Sequence, residues 1–392
     1  MSKSKSLFSR PASAYYLILG SVIALSALGL VMVLSASSVT ALNESGNSFA
    51  IVLRQSLFLI LSVGIAWVAM KLRAELWVPL SRLSLIVSAL LLVLPQVPGL
   101  GRTVGGNTNW IGIGSFTLQP SEFAKFGIII WCALRLRIHD QKSEQGLESN
   151  AAPLIVPGIL IVMVLILVGK DLGTAVVVAG IVGGILFIAG IPMKVFAILG
   201  AGIGSAFAFL ILTSSNRMNR FSAFFDPFAE ENYKGVGWQQ AHSIMGLASG
   251  GAFGTGLGSS KQKWGNLPAA HTDFIFSVVG EELGLLGTIA VLTLFALLIL
   301  GIFRVALRAN NSFERYACAG VGCWLSFQVL LNIGTVISVM PVVGVTLPFI
   351  SYGGSSLLAT FLAIGFVLGV MRRDPEIDAE IKERKAVRAA RG

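Results

Sequence analysis

The sequence predicts an all-α, polytopic membrane protein of ten transmembrane helices, with a large extracytoplasmic loop between helices seven and eight. Three observations carry that prediction. The 392-residue chain is 55% hydrophobic and only 12% charged, about half the charged fraction of a soluble domain. Its apolar residues gather into runs near the ~20 residues that cross a hydrocarbon core of about 30 Å. Its basic residues sort to alternate connections between those runs.

Taken in chain order, the runs fall at 15–36, 50–70, 80–98, 120–137, 152–168, 172–191, 195–213, 274–303, 316–338 and 351–371. The first is too long for the apolar region of a cleavable signal, and further spans follow it. The run at 274–303 is long enough to tilt or to extend past the bilayer. The fourth and fifth are short. With the N-terminus inside, the inside segments hold twenty Lys and Arg and the outside loops seven, namely Arg102, Lys170, Arg217, Arg220, Lys234, Lys261 and Lys263. This asymmetry predicts both termini in the cytoplasm. It also accounts for the net charge of +10 without nucleic acid, because the basic residues are dispersed through short loops and the tail.

Three parts follow: a cytoplasmic arm, 1–14; a membrane domain, 15–371; and a charged cytoplasmic tail, 372–392. Cys132, Cys318 and Cys323 lie inside apolar runs and have no metal-site spacing. The outside segment Gly99 to Gln119 is a loop. The longer one, 214–272, carries Phe221, Phe224, Phe225, Phe228, Trp238 and Trp264 and a glycine-rich stretch at 246–258. So aromatic a loop is expected to fold back onto the bundle with short helices of its own.

Ionisable residues within or beside spans are the candidates for function, because inserting each costs about 2.5–3.5 kcal/mol. Glu122 and Lys125, in Gln119-Pro-Ser-Glu-Phe-Ala-Lys125, share one helix face. They make either a structural ion pair or a contact to an anionic substrate. Lys170 and Asp171 occupy the outside turn before the sixth run, where Asp171 suits a helix N-cap. Arg54 suits snorkelling from the second run. Asp273 stands where the long loop becomes the eighth run. It reads as an N-cap whose ionised form the helix terminus favours and, equally, as a base at a cleft. His271 is a loop hydrogen-bonder or its partner. Glu281 and Glu282, two turns on, read as network residues. The last outside turn, Pro341 to Ser356, carries two prolines and Tyr352-Gly-Gly-Ser355. Irregular backbone at membrane depth must be covered by protein or line a cavity, so this segment is expected to line the cleft of Asp273.

Five stretches, in this order, resemble the SEDS family of bacterial cell-wall polymerases: Gln119-Pro-Ser-Glu-Phe-Ala-Lys125, Asp171-Leu-Gly-Thr174, Ala248 to Gly258, His271-Thr-Asp-Phe-Ile-Phe276 with Glu281-Glu-Leu-Gly284, and Leu347-Pro-Phe-Ile-Ser-Tyr-Gly-Gly-Ser355. Lys261-Gln-Lys-Trp-Gly-Asn-Leu-Pro268 is closer to the division branch than to the elongation branch. The resemblance implies a peptidoglycan glycosyltransferase that polymerises lipid II at the outer face of the cytoplasmic membrane, at the septum. It implies that Asp273 is the essential aspartate, and that Glu122 and Lys125 are the acid and lysine of the fourth helix. Trp110, Lys170, Asp171, His271, Ser351, Tyr352 and Ser355 complete the candidate substrate-binding set. It further implies a divalent cation (Mg or Mn) at an unassigned site. The implied partners are lipid II, a lipid-linked glycan strand, a cognate class B penicillin-binding protein, other divisome proteins and membrane lipid. Two departures stand out. The family commonly has Leu-Pro-Glu before His-Thr-Asp, where this chain has Ala269 and Ala270, and it often has Arg-Trp where this chain has Asn109-Trp110. The competing functions are a lipid II flippase, a non-catalytic divisome scaffold and a lateral-wall polymerase.

Overall fold

The computed structural model describes residues 12–104, 107–113, 116–146, 151–212, 218, 223–377 and 379–380. The arm 1–11, most of the tail, and Arg217, Arg220 and Phe221 of the long loop lie outside the described residues.

Each of the ten apolar runs falls on a helix: α1 Ser13–Ser45, α2 Ala50–Lys71, α3 Ala74–Val93, α4 Pro120–Glu144, α5 Ala151–Val168, α6 Leu172–Ile188 and α7 Met193–Leu212, then α9 Ile275–Arg308, α10 Ser312–Val336 and α11 Gly354–Arg372. The long loop contributes α8, Trp238–Ser249. Six of the described helices (α1, α2, α3, α9, α10 and α11) are long and apolar enough to cross a membrane by length and composition. The protein is therefore a polytopic membrane protein. α4 extends beyond the short run expected, to Glu144, and carries Arg135, Arg137 and Asp140 at that end.

The all-α expectation needs one correction. The connection between α3 and α4 folds into a three-stranded antiparallel sheet of β1 Gly101–Val104, β2 Asn107–Ile113 and β3 Phe116–Leu118. Arg102 pairs with Trp110 and Ile111 with Leu118. The segment has no helical periodicity, and its Thr, Trp and Ile residues suit extended backbone. A paired meander satisfies the main-chain groups that a bare loop would leave to solvent.

α4 lies centrally and packs on α3, α5, α6, α10 and α11, while α1 packs on α9 and α2 on α11. Glycine permits a close approach between α1 and the irregular segment before α11. A Cβ on Gly29 of α1 would run into the Phe349 carbonyl and Ile350 Cα, so this position lets the irregular segment before α11 lie directly on the helix.

α9 is broken at Gly284, whose φ of 69° is left-handed, a conformation glycine adopts without penalty. A Cβ there would also strike Gly254 and Ala252. The break orphans backbone groups that cannot stay bare at membrane depth. The glycine-rich loop supplies their partners. Thr255 and Gly256 N–H donate to the Glu281 and Glu282 carbonyls at 2.9 and 3.0 Å, and Leu285 and Leu286 N–H donate to the Gly251 and Ala252 carbonyls at 2.9 and 3.2 Å. Gly284 and the glycine-rich loop thus form one structural unit.

Near the other end, the start of the charged tail is tied down. Arg373 donates to Glu314 at 2.7 Å, and Arg308 pairs with Asp374 and Glu376.

Candidate active site

The site is built where the long loop enters α9. The turn before the helix is tight. Ala269 has a φ of 59°, an uncommon conformation for a residue with a side chain, and its carbonyl accepts from Thr272 N–H at 3.0 Å and Phe274 N–H at 3.3 Å. This geometry corrects one expectation: Phe274 occupies the N-cap of α9, so Asp273 does not cap the helix. Its carboxylate has no hydrogen-bond partner among the described residues, and Oδ2 faces Gly344.

The electrostatic expectation is corrected as well. Burial raises the Asp273 pKa from 3.8 to about 6. The cause is removal from water, which disfavours the charged form. A carboxylate at about 6 is a stronger base than an ordinary aspartate and is still ionised at neutral pH. Burial lowers the pKa of His271, against an opposing contribution from Glu44, so neutral imidazole is favoured beside the aspartate.

The opposite wall is the segment between α10 and α11, as expected for Pro341 to Ser356. Ser351 Oγ donates to the Thr272 carbonyl at 2.6 Å, and Tyr352 N–H donates to the His271 carbonyl at 2.9 Å. The His271 and Tyr352 rings lie 5.7 Å apart. Gln55 of α2, buried, donates to the Ser351 carbonyl at 3.1 Å. Phe349, with a φ of 66°, adds a second strained turn, of the kind that collects at functional sites.

Asp171 sits in a saturated corner. It caps α6 as expected, its Oδ1 accepting from Thr174 N–H at 3.0 Å. Its Oδ2 accepts from Asn109 (2.8 Å), Gln119 (3.0 Å), Ser121 (3.1 Å) and the Thr174 hydroxyl (2.8 Å). Asn109, at the position where the resemblance leads one to expect arginine, is therefore bonded to Asp171. Ser355 Oγ accepts from Gln119 N–H at 2.9 Å, which joins this corner to the start of α11. Trp110 is half-buried on the sheet, and Lys170 is exposed with a φ of 61°. Arg54 is exposed on α2.

Glu122 and Lys125 form an ion pair at 2.8 Å in the first turns of α4. Lys125 is 1% exposed. It also donates to Gln328 at 2.8 Å and lies 4.9 Å from the Trp324 ring centre. In this conformation the pair stands behind the cleft wall, one residue removed from it: Gln328 passes its own amide hydrogen bond to the Thr346 carbonyl at 2.9 Å. Glu281 and Glu282 are buried network residues. Glu281 accepts from the Ser260 hydroxyl at 2.5 Å and Lys261 N–H at 2.9 Å, and Glu282 from the Ser35 hydroxyl at 2.6 Å.

Residues 15–375 match the family model of the FtsW, RodA and SpoVE cell cycle proteins. The chain belongs to this family. A Coxiella burnetii family member named "Probable peptidoglycan glycosyltransferase FtsW" is 40% identical over 351 residues, covering 89% of this chain and 93% of that protein. The stage V sporulation protein E of Bacillus subtilis is 37% identical over 346 residues, covering 88% and 93%. Among solved structures, a chain of a peptidoglycan synthase complex matches with a TM-score of 0.73 at 30% identity, covering 91% of this chain and 96% of that one. Thermus thermophilus RodA matches with a TM-score of 0.64, also at 30% identity and with the same coverage.

Within the family fold, the residues that sequence reasoning missed are amides: Gln55, Gln328 and Asn332. The last two are four apart in an apolar run and nearly fully buried. Polar side chains at that spacing on one helix face are the signal that marks them. Among the described residues no three His, Cys, Asp or Glu side chains form a group able to hold a metal. The described residues therefore do not make a protein cage for the divalent cation that the resemblance implies.

Proposed function

We propose that the protein is a peptidoglycan glycosyltransferase that polymerises lipid II at the outer face of the cytoplasmic membrane. The observation that carries this is the Asp273 carboxylate. It is unpartnered among the described residues, is raised to about 6 and faces Gly344 of the irregular segment before α11, in a family whose relatives include a protein named a probable peptidoglycan glycosyltransferase.

The reaction needs a base at the acceptor hydroxyl. Asp273 takes that proton as the oxygen attacks the anomeric carbon of the lipid-linked donor, and the pyrophosphate-lipid leaves. Ser351 and Tyr352 hold the wall opposite, and neutral His271 offers a hydrogen bond beside it. The sequence-derived set Trp110, Lys170, Asp171, Ser355, Glu122 and Lys125 frames the surrounding substrate site. Asp171 and the Glu122–Lys125 pair act from behind it by fixing α4, α6 and α10. A divalent cation would be held chiefly by the substrate's pyrophosphate and would supply charge stabilisation there.

All ten apolar helices cross the membrane with both termini in the cytoplasm, on the charge asymmetry of the loops. The septum is the working location, a class B penicillin-binding protein is the partner that supplies crosslinking, and other divisome proteins join them. A flippase is expected to show a polar path lined by paired broken helices. The break in α9 is instead filled by the chain's own glycine-rich loop, which favours chemistry at the surface.

The test is reconstitution of the full chain with its cognate transpeptidase in liposomes, scoring both glycan strands and translocated lipid II. The expected result is strands from lipid II supplied on the outer face. Translocation without strands contradicts the proposal.

A further inference from the structure

His271, Thr272 and Asp273 present three consecutive backbone carbonyls, and each is held by a different donor. Tyr352 N–H donates to the first at 2.9 Å, Ser351 Oγ to the second at 2.6 Å and Asn332 Nδ2 to the third at 2.8 Å. The first two donors belong to the irregular segment before α11. The third comes from α10 and makes a second bond: Asn332 Nδ2 also donates to the Val345 carbonyl at 2.7 Å. One amide therefore ties the backbone that carries Asp273 to the segment facing it.

One turn earlier on the same face of α10, Gln328 fixes the next carbonyl, Thr346. Gln328 is itself braced by Lys125 at 2.8 Å and by the Trp324 indole N–H at 2.6 Å. A line of contacts thus runs from the Glu122–Lys125 pair through Gln328 to the 345–346 backbone, and Asn332 carries it on to Asp273.

Asn332 is an expensive way to fill this space. It is 1% exposed, and its Oδ1 has no hydrogen-bond partner. A buried amide with one edge unmade carries the desolvation cost of that acceptor. What the amide does that leucine does not is donate to both carbonyls. The Asp273 carboxylate has no partner of its own among the described residues, so its aim is set by the backbone beneath it. Orientation of that kind is worth large rate factors.

We propose that Asn332 is a positioning residue for Asp273, its donor edge fixing the distance between the base and the Gly344–Thr346 wall. This rests on the reading of Asp273 as the catalytic base.

The experiment measures kcat and KM for lipid II polymerisation, together with thermal unfolding, on the full chain in complex with its transpeptidase. Asn332→Leu is expected to lower kcat at least tenfold, since misplacing a reacting group by 1 Å costs about 10²-fold. KM is expected to stay within about twofold; because the change also leaves the Asp273 and Val345 carbonyls without their donor, kcat is compared per folded protein, with the folded fraction read from the unfolding curve. If that variant does not fold, Asn332→Ser, whose shorter hydroxyl can donate to at most one of the two carbonyls, is read by the same criteria. A folded variant with wild-type kcat overturns the proposal, as does a loss of kcat explained by a smaller folded fraction. Failure of the wild-type complex to polymerise lipid II is a different result, which removes the reading of Asp273 itself.

Discussion

Asp171 and Asp273 make an instructive pair. Both are aspartates beside a helix start at the same end of the bundle, linked through the 351–355 segment. Asp171 accepts five hydrogen bonds, from Thr174 N–H, the Thr174 hydroxyl, Asn109, Gln119 and Ser121. Asp273 accepts none among the described residues, and burial raises its pKa to about 6. The same side chain is architecture in one place and reactivity in the other. The difference lies in the donors around it: a saturated carboxylate has no lone pair to offer a substrate, and an unpartnered one does.

The largest effect expected from this contrast is on stability, at Asp171. Asp171→Ala removes an N-cap worth about 1 kcal/mol and strands buried donors, at about 1–3 kcal/mol for each that finds no replacement. The sum is at least about 3 kcal/mol, and thermal unfolding in detergent should show a markedly lower midpoint. An unchanged midpoint would break the contrast from the structural side.

The smaller effect concerns pH, at Asp273. A carboxylate works as a base only when ionised. Because its pKa is raised to about 6, kcat/KM should fall as pH drops through 6, tenfold per unit below it, and level off above. Nearby titratable groups are His271, two residues away, Tyr352, whose ring lies 5.7 Å from His271, and Glu44, which acts on His271 electrostatically. Burial lowers the His271 pKa, which favours its neutral form. A profile flat down to pH 5 would mean that this carboxylate is not the base.

Much of the fold was legible because its signals are local. Apolar runs of spanning length give α1 to α7 and α9 to α11, and Asp171 one residue before α6 gives a cap. The aromatic loop that must cover itself gives α8. The sheet between α3 and α4 was not legible, since its seven-residue and shorter strands carry little periodicity. The site was legible only in outline. Asp273 and the 341–356 segment could be placed together by the rule that irregular backbone must line a cavity. The capping role failed because helix ends are set by backbone geometry, and the turn at Ala269 puts Phe274 in that position. The raised pKa depends on burial by residues far along the chain, which sequence does not display. The glycine-rich loop and Gly284 were each visible, but their joint purpose, satisfying backbone groups at a helix break, appears only in three dimensions. Glu122 and Lys125 read either as an ion pair or as a contact to an anionic substrate; the structure shows the pair, with Gln328 and Trp324 also beside Lys125.

The central claim is that Asp273 is held in place by backbone contacts so that its carboxylate is free for chemistry. Polymerisation of lipid II by purified Asp273→Asn protein, folded and bound to its transpeptidase, tests this most directly. The expected result is an unfolding midpoint like that of the wild type, because no hydrogen bond to the carboxylate is lost, and a rate lower by about 10²–10⁴-fold, the range for loss of a general base. Wild-type polymerisation by that protein would contradict it.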